Sequence, residues 1–394
     1  MHFFEKIRTE HSTPFYIYDG KVISEQASIL KKTFPDFGIL FSVKANPFPP
    51  VLKKMASLGI GADAASAKEV DLAIEAGMQE IYYSCPAPTK EDINHILGRC
   101  HIIADSFHVL SLLEEAAAAR SLTLAVGLRI HPDFTMDGTQ QMPSKFGIDE
   151  SLVWKMDFAK EYPHLAINGL HIHIRSQVLD TEQLVNYYEN AMALAVRLQN
   201  HIRNKLEYIN FGGGVGKVYD AAKQSPLDYE KLHQAVSAAK EKYKDALSAR
   251  FLLESGRFLA CDCGTYVTEI VDIKESHRKK FYIVKNGANG FFKPVLRQML
   301  MPFHPDHIGA SYEPFATEND DYNIQVLSES SETEIVDIAG HLCSGADVMA
   351  KNVEVKKGKI GDLVTFNHAG SYAYSLAPLL FASQPIPKEF FIDA

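Results

Sequence analysis

The chain has few cysteines, no surplus of positive charge and no long hydrophobic run. Its five cysteines are scattered and odd in number, which argues against a disulfide framework and predicts reduced thiols. The 40 Lys and Arg are outnumbered by 49 Asp and Glu, so there is no basic field to attract a nucleic-acid backbone. Charged residues appear within the first eight positions and no long apolar run follows, so no signal peptide or membrane span is visible. These absences predict a cytoplasmic protein that binds neither nucleic acid nor membrane.

The two cysteines of the Cys261-x-Cys263 pair stand close together in the sequence. A zinc site would require a second pair of ligands at a matching spacing, and the chain lacks one. Alternate residues of a strand point to the same side for packing reasons alone. We therefore predict no metal site and interpret the pair as packing residues.

Short β-rich runs do occur, and most are followed by a longer stretch with apolar residues at helical spacing. Eight such βα units over this length are what a closed (β/α)8 TIM barrel requires. The chain is thus predicted to be an α/β protein with a barrel. The eight predicted strands lie at residues 39–45, 59–66, 81–85, 101–106, 123–130, 167–174, 206–212 and 251–256.

The character of the sequence changes after residue 256. Short strand-like runs continue, but no stretch between them is a helix long enough for a crossover connection, so a second, mostly antiparallel β domain is predicted. The isolated strand at residues 13–18 precedes the first barrel helix and is expected to pair with that domain. We predict a barrel over residues 25–261 and a β domain made of residues 1–24 and 262–394. The runs of this domain lie at residues 265–271, 280–284, 324–326, 334–338 and 362–366.

Residues able to take part in catalysis or cofactor binding stand where the predicted barrel strands end. The reactive groups of such barrels lie at the carboxyl ends of the strands, because the loops there form the mouth. Their shared placement on one rim is stronger evidence for an active site than any one of these residues alone. The residues concerned, from the first strand to the eighth, are Lys44, Asp63, Arg129, His173, the run Gly212 to Gly214, Glu254 and Arg257.

Each rim residue also has an ordinary structural interpretation. Lys44 lies in an apolar run, where an unpaired ammonium is costly, so either a lowered pKa or a covalent imine is reasonable; a lysine reaching solvent is the alternative. A buried Glu254 needs a partner, either a pyridinium nitrogen or a salt bridge to Arg129 or Arg257. The triple glycine admits a phosphate, with Arg257 adding a planar contact, or is only a tight turn.

Seven short motifs complete the pattern. They are FSVKAN at 41–46, GADAASAKE at 61–69, HIHIRSQ at 171–177, NFGGG at 210–214, ESGR at 254–257, CSGAD at 343–347 and AGSY at 369–372. In this order they resemble the fold-type III pyridoxal-phosphate decarboxylases, which include the diaminopimelate and ornithine decarboxylases. The resemblance covers essentially the whole chain. It implies an alanine-racemase-like fold, a TIM barrel with a C-terminal β domain, and removal of the α-carboxylate from an L-amino-acid-type substrate.

The resemblance also implies the cofactor and the site. Pyridoxal 5′-phosphate would form a Schiff base with Lys44, stack against His173 and keep its pyridine nitrogen protonated through Glu254. Cys343 would donate the proton after loss of CO₂, although a buried structural cysteine is the alternative. The other implied cofactor contacts are Asp63, Arg129, Ser176, Gly213, Gly214, Arg257 and Tyr372, with Glu69 in the polar surroundings.

The same resemblance implies a homodimer with two shared active sites. In the family, the loop that carries Cys343 and Asp347 reaches into the site of the partner subunit. A racemase on this barrel would need an opposing tyrosine base instead of that loop. A non-catalytic regulator would have lost cofactor residues, whereas Lys44, Glu254 and Arg257 are all present.

The sequence departs from diaminopimelate decarboxylases at three positions. Ser344 stands where those enzymes usually have Glu and Lys293 where they have Arg, both toward the distal end of the substrate. Arg175 stands where they have Gly, beside the cofactor phosphate, or is a solvated residue of the rim. Loss of an acidic group beside cationic ones predicts a substrate whose distal end is acidic or acylated. The predicted substrate-binding residues are Arg175, Lys293, Ser344 and Asp347.

We therefore predict a decarboxylase of a citryl- or acyl-linked amino acid in siderophore or antibiotic biosynthesis. The residues at 375–381 favour this branch, since they replace a stretch with tyrosine and asparagine that is expected of diaminopimelate enzymes. The alternative is meso-diaminopimelate decarboxylation in lysine biosynthesis, because Lys293 can still pair with a carboxylate.

Overall fold

The computed structural model of the chain describes residues 2–300 and 321–393. Its strands are β1 Phe15–Asp19, β2 Phe37–Ser42, β3 Gly61–Ala64, β4 Ile81–Ser84, β5 His101–Ala104, β6 Leu124–His131, β7 Ile148–Asp149, β8 Leu165–His171, β9 Tyr208–Asn210, β10 Arg250–Ser255, β11 Gly264–Ser276, β12 Lys279–Val284, β13 Gln325–Leu327, β14 Thr333–Gly340, β15 Val348–Lys356, β16 Leu363–Phe366 and β17 Lys388–Ile392. Its helices are α1 His2–His11, α2 Gly20–Thr33, α3 Pro49–Ser57, α4 Ala67–Glu75, α5 Lys90–Ile96, α6 Phe107–Ala118, α7 Glu150–Val153, α8 Phe158–Glu161, α9 Thr181–Ile202, α10 Tyr229–Tyr243, α11 Arg257–Ala260 and α12 Lys293–Leu300.

The described chain divides into two compact units. The first, here called the barrel unit, contains residues 25–216 and 226–256. The second, here called the β unit, contains the described residues before Glu25, the segment Lys217–Ser225 and the described residues from Arg257 onward. The chain therefore leaves and re-enters the barrel unit between β9 and α10.

The barrel unit contains a closed barrel of eight parallel strands. Neighbouring strands follow the order β5, β4, β3, β2, β10, β9, β8, β6, and pairing of β5 with β6 closes the ring. The two-residue strand β7 adds to the edge of β6 and was not predicted. The predicted eight-stranded barrel is confirmed, with strand ends that shift by at most three residues.

A bulky aromatic ring fills the barrel interior near the amino ends of the strands. Tyr208 packs there with Leu40, Tyr82, Ile103 and Leu252. Two strands make room for its ring with a glycine, because a Cβ at Gly127 or at Gly169 would lie 2.1 Å from an atom of Tyr208. Side chains fill this end of the barrel, so the opposite end is the one that can accept a ligand.

The β unit is built on a mostly antiparallel sheet, as predicted. Its path runs β13, β16, β11, β12, β14, β15, and only the pair of β12 with β14 on this path is parallel. The expected pairing of the first strand is confirmed, since β1 pairs with β11 and also with β17. Strands β15 and β17 were missed, because charged residues interrupt their hydrophobic alternation.

Side chains fix the starts of several barrel-unit helices. In each case an oxygen accepts a hydrogen bond from a backbone N–H of the first helical turn, which is the ordinary N-cap arrangement. The capping residues are Ser66, Thr89, Ser106, Asp180 and Asp228.

In the described ranges, no helix has the length and hydropathy needed to cross a membrane. The cytoplasmic location stays a prediction.

Candidate active site

Lys44 lies in a one-turn 3-10 helix that follows β2. A hydrogen bond of 3.0 Å from the Asn46 N–H to the Val43 carbonyl closes this turn. The prediction that Lys44 lies inside the strand was wrong, because the chain turns at Val43. The turn leaves the Lys44 side chain 47% exposed, whereas a continued strand would bury it. A primary amine at the carboxyl end of a barrel strand is thus open to a carbonyl compound.

Asp63 is the partner that the fold brings to Lys44. The Lys44 Nζ lies 2.8 Å from the Asp63 Oδ2, and the Asp63 side chain is only 4% exposed. Glu69 lies in the first turn of α4, where its carboxylate accepts a hydrogen bond of 2.7 Å from the Ala65 N–H. Burial raises the pKa of Glu69, although this hydrogen bond and the charge of Lys44 oppose the rise.

Four polar side chains belong to one layer of neighbouring strands. Arg129 on β6 is the register partner of His171 on β8, and His171 is the partner of Asn210 on β9. Leu252 on β10 belongs to the interior cluster, so Glu254, two residues further on, lies on the same face of its strand. The layer lies closer to the carboxyl ends of the strands than the Tyr208 layer. It places a carboxylate among three donors inside the barrel.

One carboxylate oxygen of Glu254 is held from two sides. Asn210 Nδ2 donates to Glu254 Oε1 over 2.8 Å, and His171 Nε2 lies 3.1 Å from the same oxygen. Burial on its own would raise the pKa of Glu254, but the nearby His171, followed by the Lys44 ammonium, outweighs it and the pKa is lowered. Glu254 therefore remains a carboxylate at neutral pH.

Sequence reasoning missed two of these residues, His171 and Asn210. The sequence interpretation offered Glu254 a salt bridge to Arg129, but Arg129 forms its ion pair with Asp105, at 3.2 Å. A signal was present, because His171 and Asn210 stand two residues before His173 and Gly212 and so share a strand face with predicted site residues.

His173 follows the end of β8 and has both ring nitrogens engaged. Its Nδ1 accepts a hydrogen bond of 3.0 Å from the Gly213 N–H, and its Nε2 lies 3.3 Å from the Ser176 hydroxyl. Since Nδ1 is an acceptor, a neutral ring carries its proton on Nε2. Burial lowers the pKa of His173 to about 3, and the cationic Arg129 and Lys44 lower it further against the opposing effect of Glu254. The imidazole is therefore neutral.

The glycine run lies directly against His173. Gly212 has a φ of +62°, and a Cβ there would lie 2.5 Å from the Ile172 carbonyl oxygen. A Cβ at Gly213 would lie 3.3 Å from His173 Cε1. The run is thus a tight turn and also a place where backbone approaches the ring closely. The predicted phosphate contact of Gly213 has a competitor, because its N–H already donates to His173.

Arg175 is bound to the surrounding protein. Its guanidinium lies 3.2 Å from Asp137 and also donates to Gln183 at the start of α9, and the side chain is 29% exposed. Arg129 lies 4.6 Å from the ring centroid of Phe146. Both arginines thus contact or approach the segment between β6 and β7.

Two buried cations of the β unit surround Tyr219. Arg257, at the start of α11, donates to the Tyr219 hydroxyl over 2.6 Å, and Lys293 Nζ lies 5.8 Å from the centroid of the same ring. The Arg257 guanidinium also lies 5.4 Å from the ring centroid of Tyr372. Cys261 and Cys263 belong to a 3-10 turn and not to a strand; the Cys261 thiol contacts the Tyr219 hydroxyl at 3.4 Å.

Cys343 and Ser344 are exposed on the connection between β14 and β15, here called the Cys343 hairpin and comprising residues 341–346. Asp347 ends this hairpin and is buried. Its Oδ1 accepts the Ala288 N–H over 2.6 Å and its Oδ2 accepts the Leu342 N–H over 3.0 Å. Two backbone bonds of this kind hold the base of the hairpin. The exposed Cys343 is not the buried structural cysteine of the alternative interpretation.

Comparison with known proteins decides the family. A family model described as the pyridoxal binding domain of pyridoxal-dependent decarboxylases matches residues 20–261. The chain belongs to the pyridoxal-dependent decarboxylases. The decarboxylase is 30% identical over 389 residues to the L-glutamyl-(BtrI acyl-carrier protein) decarboxylase of Niallia circulans, covering 96% of this chain and 88% of that protein. It is 29% identical over 402 residues to the diaminopimelate decarboxylase of Bacteroides thetaiotaomicron, covering 99% and 97%.

A solved structure extends the comparison. The diaminopimelate decarboxylase of M. jannaschii in complex with L-lysine is 25% identical to the decarboxylase, with a TM-score of 0.85 and coverage of 98% of this chain and 89% of that one. The predicted fold, cofactor and enzyme class are confirmed: the chain is a carboxy-lyase that depends on pyridoxal 5′-phosphate. These matches favour decarboxylation over the racemase and regulator alternatives.

The barrel unit has groups whose chemistry fits this cofactor. The exposed amine of Lys44 would hold its aldehyde, and the buried carboxylate of Glu254 would face its ring nitrogen. The neutral imidazole of His173 lies against the glycine run, which adds no side chains to this part of the site. When bound, the cofactor supplies a cationic ring that accepts the electrons left by the departing carboxylate.

Proposed function

We propose that this decarboxylase removes the α-carboxylate from an L-amino acid whose distal end is conjugated, as in citryl- or acyl-linked amino acids of siderophore or antibiotic biosynthesis. The α-amine and α-carboxylate of the substrate are free, while the distal group is an amide, ester or thioester. The distal end of such a substrate carries no ammonium, so the enzyme needs no carboxylate to bind it.

The Cys343 hairpin provides the observation that carries this proposal. Residues 341–346 include no Asp or Glu, and Ser344 stands at the usual Glu position. The nearest carboxylate, Asp347, has both oxygens bound to backbone N–H groups. The hairpin therefore has no uncommitted carboxylate for the distal ammonium of diaminopimelate, ornithine or lysine. A buried Lys293 beside Arg257 suits an acidic or carbonyl-rich distal group.

The barrel-unit residues divide the chemistry. Lys44 would hold the cofactor through its amine, which Asp63 orients. Glu254 would hold a proton on the ring nitrogen, and the cationic ring would then supply the electron sink for loss of CO₂. His173 would contact the ring. The remaining proposed contacts with the cofactor are Arg129, Ser176, Gly213, Gly214, Arg257 and Tyr372.

Cys343 donates the proton that replaces the lost carboxylate, and we propose that it does so in the partner's site of a homodimer. The exposure of the Cys343 thiol supports a role outside its own core. Mixing Lys44→Ala and Cys343→Ala proteins tests this arrangement. If sites are shared, reassortment restores about a quarter of wild-type activity, since half of the dimers then hold one intact site. No recovery in a mixture that exchanges subunits would contradict shared sites.

Diaminopimelate remains a second candidate. Lys293 can pair with a distal carboxylate, and the match to the diaminopimelate decarboxylase of Bacteroides thetaiotaomicron covers nearly all of both chains. In that case Arg175 and Ser344 are tolerated changes.

The deciding experiment is CO₂ release by the cofactor-loaded enzyme with matched substrate pairs. Each pair contains one amino acid with its distal amine free and the same amino acid with that amine acylated, such as L-lysine and Nε-succinyl-L-lysine, together with citryl-linked amino acids, glutamyl thioesters and meso-diaminopimelate. We expect kcat/KM to favour the acylated member of every pair. Efficient turnover of diaminopimelate, with a kcat/KM above about 10⁴ M⁻¹ s⁻¹, would overturn the conjugate proposal.

A further inference from the structure

Glu254 has two oxygens with different surroundings. Asn210 and His171, from the two strands that precede β10 in the barrel, both lie within 3.1 Å of Oε1. Within residues 2–300 and 321–393, no donor forms a hydrogen bond to Oε2. A buried carboxylate ordinarily has both oxygens bound to donors. The uneven arrangement therefore reserves one oxygen.

We propose that His171 and Asn210 are positioning residues that hold Oε1 of Glu254 and so present Oε2 to the ring nitrogen of the cofactor. The proposal rests on the role of Glu254 given above and adds a residue, His171, that controls how well Glu254 performs it. His171 does not touch the cofactor ring in this proposal, and it acts through Glu254.

The physical basis is orientation and charge. The terminal torsion of a glutamate is broad, so a carboxylate without fixed partners samples many directions. The hydrogen bond from Asn210 and the close approach of His171 to the same oxygen restrict it, and Asn210 is itself fixed by accepting the Gly212 N–H over 2.8 Å. A buried carboxylate that lost a donor would also take up a proton more readily. A protonated Glu254 would no longer stabilise a pyridinium.

The two histidines of the His171-x-His173 pair therefore have different tasks. The nitrogens of His173 are engaged by Gly213 and Ser176, so His173 is bound to its own loop and to the glycine run. His171 is 2% exposed and has Glu254 as its ion-pair contact. The other cationic group that acts on Glu254 is Lys44, from the turn after β2, and within the described residues it forms its ion pair with Asp63.

The test uses two variants of His171 with opposite expectations. His171→Gln places an amide N–H near the position of Nε2 and retains a donor to Glu254. His171→Asn is polar and small but too short to reach. We measure the ¹⁵N chemical shift of the ring nitrogen in enzyme loaded with ¹⁵N-labelled pyridoxal 5′-phosphate, the dissociation constant of the cofactor, and kcat and KM.

The wild type and His171→Gln should show a protonated ring nitrogen. His171→Asn should shift that resonance toward the neutral form, weaken cofactor binding and lower kcat on the order of 10- to 100-fold with little change in KM. A protonated nitrogen and unchanged kcat in His171→Asn would overturn the role of His171 alone. A neutral nitrogen in the wild type would instead overturn the role of Glu254.

A matched control separates positioning from general packing. His201→Asn changes another histidine of the barrel unit, which lies on α9 and bonds to the Met156 carbonyl in the connection between α7 and α8. It should alter the melting temperature without moving the ¹⁵N resonance. Equal shifts in the resonance for both variants would show that disturbance of the fold, and not loss of the His171 donor, is responsible.

Discussion

Lys44 Nζ lies 2.8 Å from Asp63 Oδ2, and the two partners differ sharply in exposure: 47% for the Lys44 side chain and 4% for Asp63. Asp63 is fixed on β3, where it is the register partner of Ser42, the last residue of β2. The pair therefore joins a rigid strand to the short turn that carries the amine. The fixed Asp63 carboxylate therefore sets the direction of the exposed Lys44 amine.

The Asp63→Asn variant tests that orienting role. The amide keeps the size of the side chain but removes the charge that holds the Lys44 ammonium, so we expect kcat/KM to fall on the order of 10- to 100-fold with little loss of stability. Steady-state kinetics and thermal melting provide the measurement. The control is Glu115→Gln, which removes an ion pair to Lys90 in which both side chains are exposed. That change should be silent, and an unchanged Asp63→Asn enzyme would contradict the orienting role.

His173 should make the stability of the cofactor-free protein depend on pH. Its pKa is lowered from 6.5 to about 3, so below pH 6.5 the unfolded chain binds a proton that the folded chain does not. The free energy of unfolding should therefore fall as pH decreases from about 6.5, by about 1.4 kcal/mol per pH unit once the unfolded form is protonated. Urea denaturation of the wild type and His173→Asn between pH 7 and 5 measures the difference in slope. His108→Asn, at an exposed site, should keep the wild-type slope.

Asp347 should hold the Cys343 hairpin in place. In Asp347→Asn, one of the two oxygens that accept backbone hydrogen bonds is replaced by an NH₂ group, which cannot accept. One backbone N–H then loses its partner, so the free energy of unfolding should fall by about 1–3 kcal/mol. We expect kcat to fall as well, because the hairpin loses its anchor. Asp337→Asn is the control, since Asp337 is equally buried, binds the Asn352 N–H at 2.7 Å and pairs with Lys279 at 2.8 Å, outside the hairpin. It should lose stability and retain kcat; equal loss of kcat in both would show that only stability matters.

Glu389 should destabilise the β unit at alkaline pH. It lies on β17 and accepts a hydrogen bond of 2.9 Å from Tyr18 on β1. Burial raises the pKa of Glu389 to about 7, with the Tyr18 bond opposing, so the folded state keeps a proton that the unfolded state loses near pH 4.5. The stabilisation that the protonated Glu389 side chain gives the folded state is fully present below pH 4.5 and is lost as pH rises through about 7. Glu389→Gln should raise the melting temperature by a few degrees at pH 8 and change it little at pH 4.5; the reverse order would contradict this account.

Much of the architecture was predictable from local patterns. The eight barrel strands alternate with amphipathic helices, and this repetition specifies a barrel whatever the exact strand ends are. The motifs also identified Lys44, Asp63, His173 and Glu254, because these residue types rarely stand together at the ends of parallel strands without a chemical role. Turns were less predictable, as the 3-10 helix at Lys44 shows, since an apolar run continues through it.

The proposed roles of His171 and Asn210 depend on the tertiary structure, because their spacing from His173 and Gly212 indicated only which side of a strand they share. Nothing in the sequence states that β8, β9 and β10 are neighbours in a register that brings these two side chains to one oxygen of Glu254. The same holds for Asp347, which the sequence suggested as a substrate contact, whereas its carboxylate binds the backbone of the distant Ala288 and of Leu342 in its own hairpin.

The sequence by itself determined the fold class through its hydrophobic periodicity, and it indicated the cofactor and the reaction through motifs that resemble a known family. Periodicity and motifs are both local properties of the chain. The tertiary structure decided which partners each reactive group has, how exposed the Lys44 amine is and which oxygen of Glu254 is held. Those properties depend on strand register and on distances between residues far apart in the chain. The alternation of side chains along each strand and the closure of the barrel together place these reactive groups.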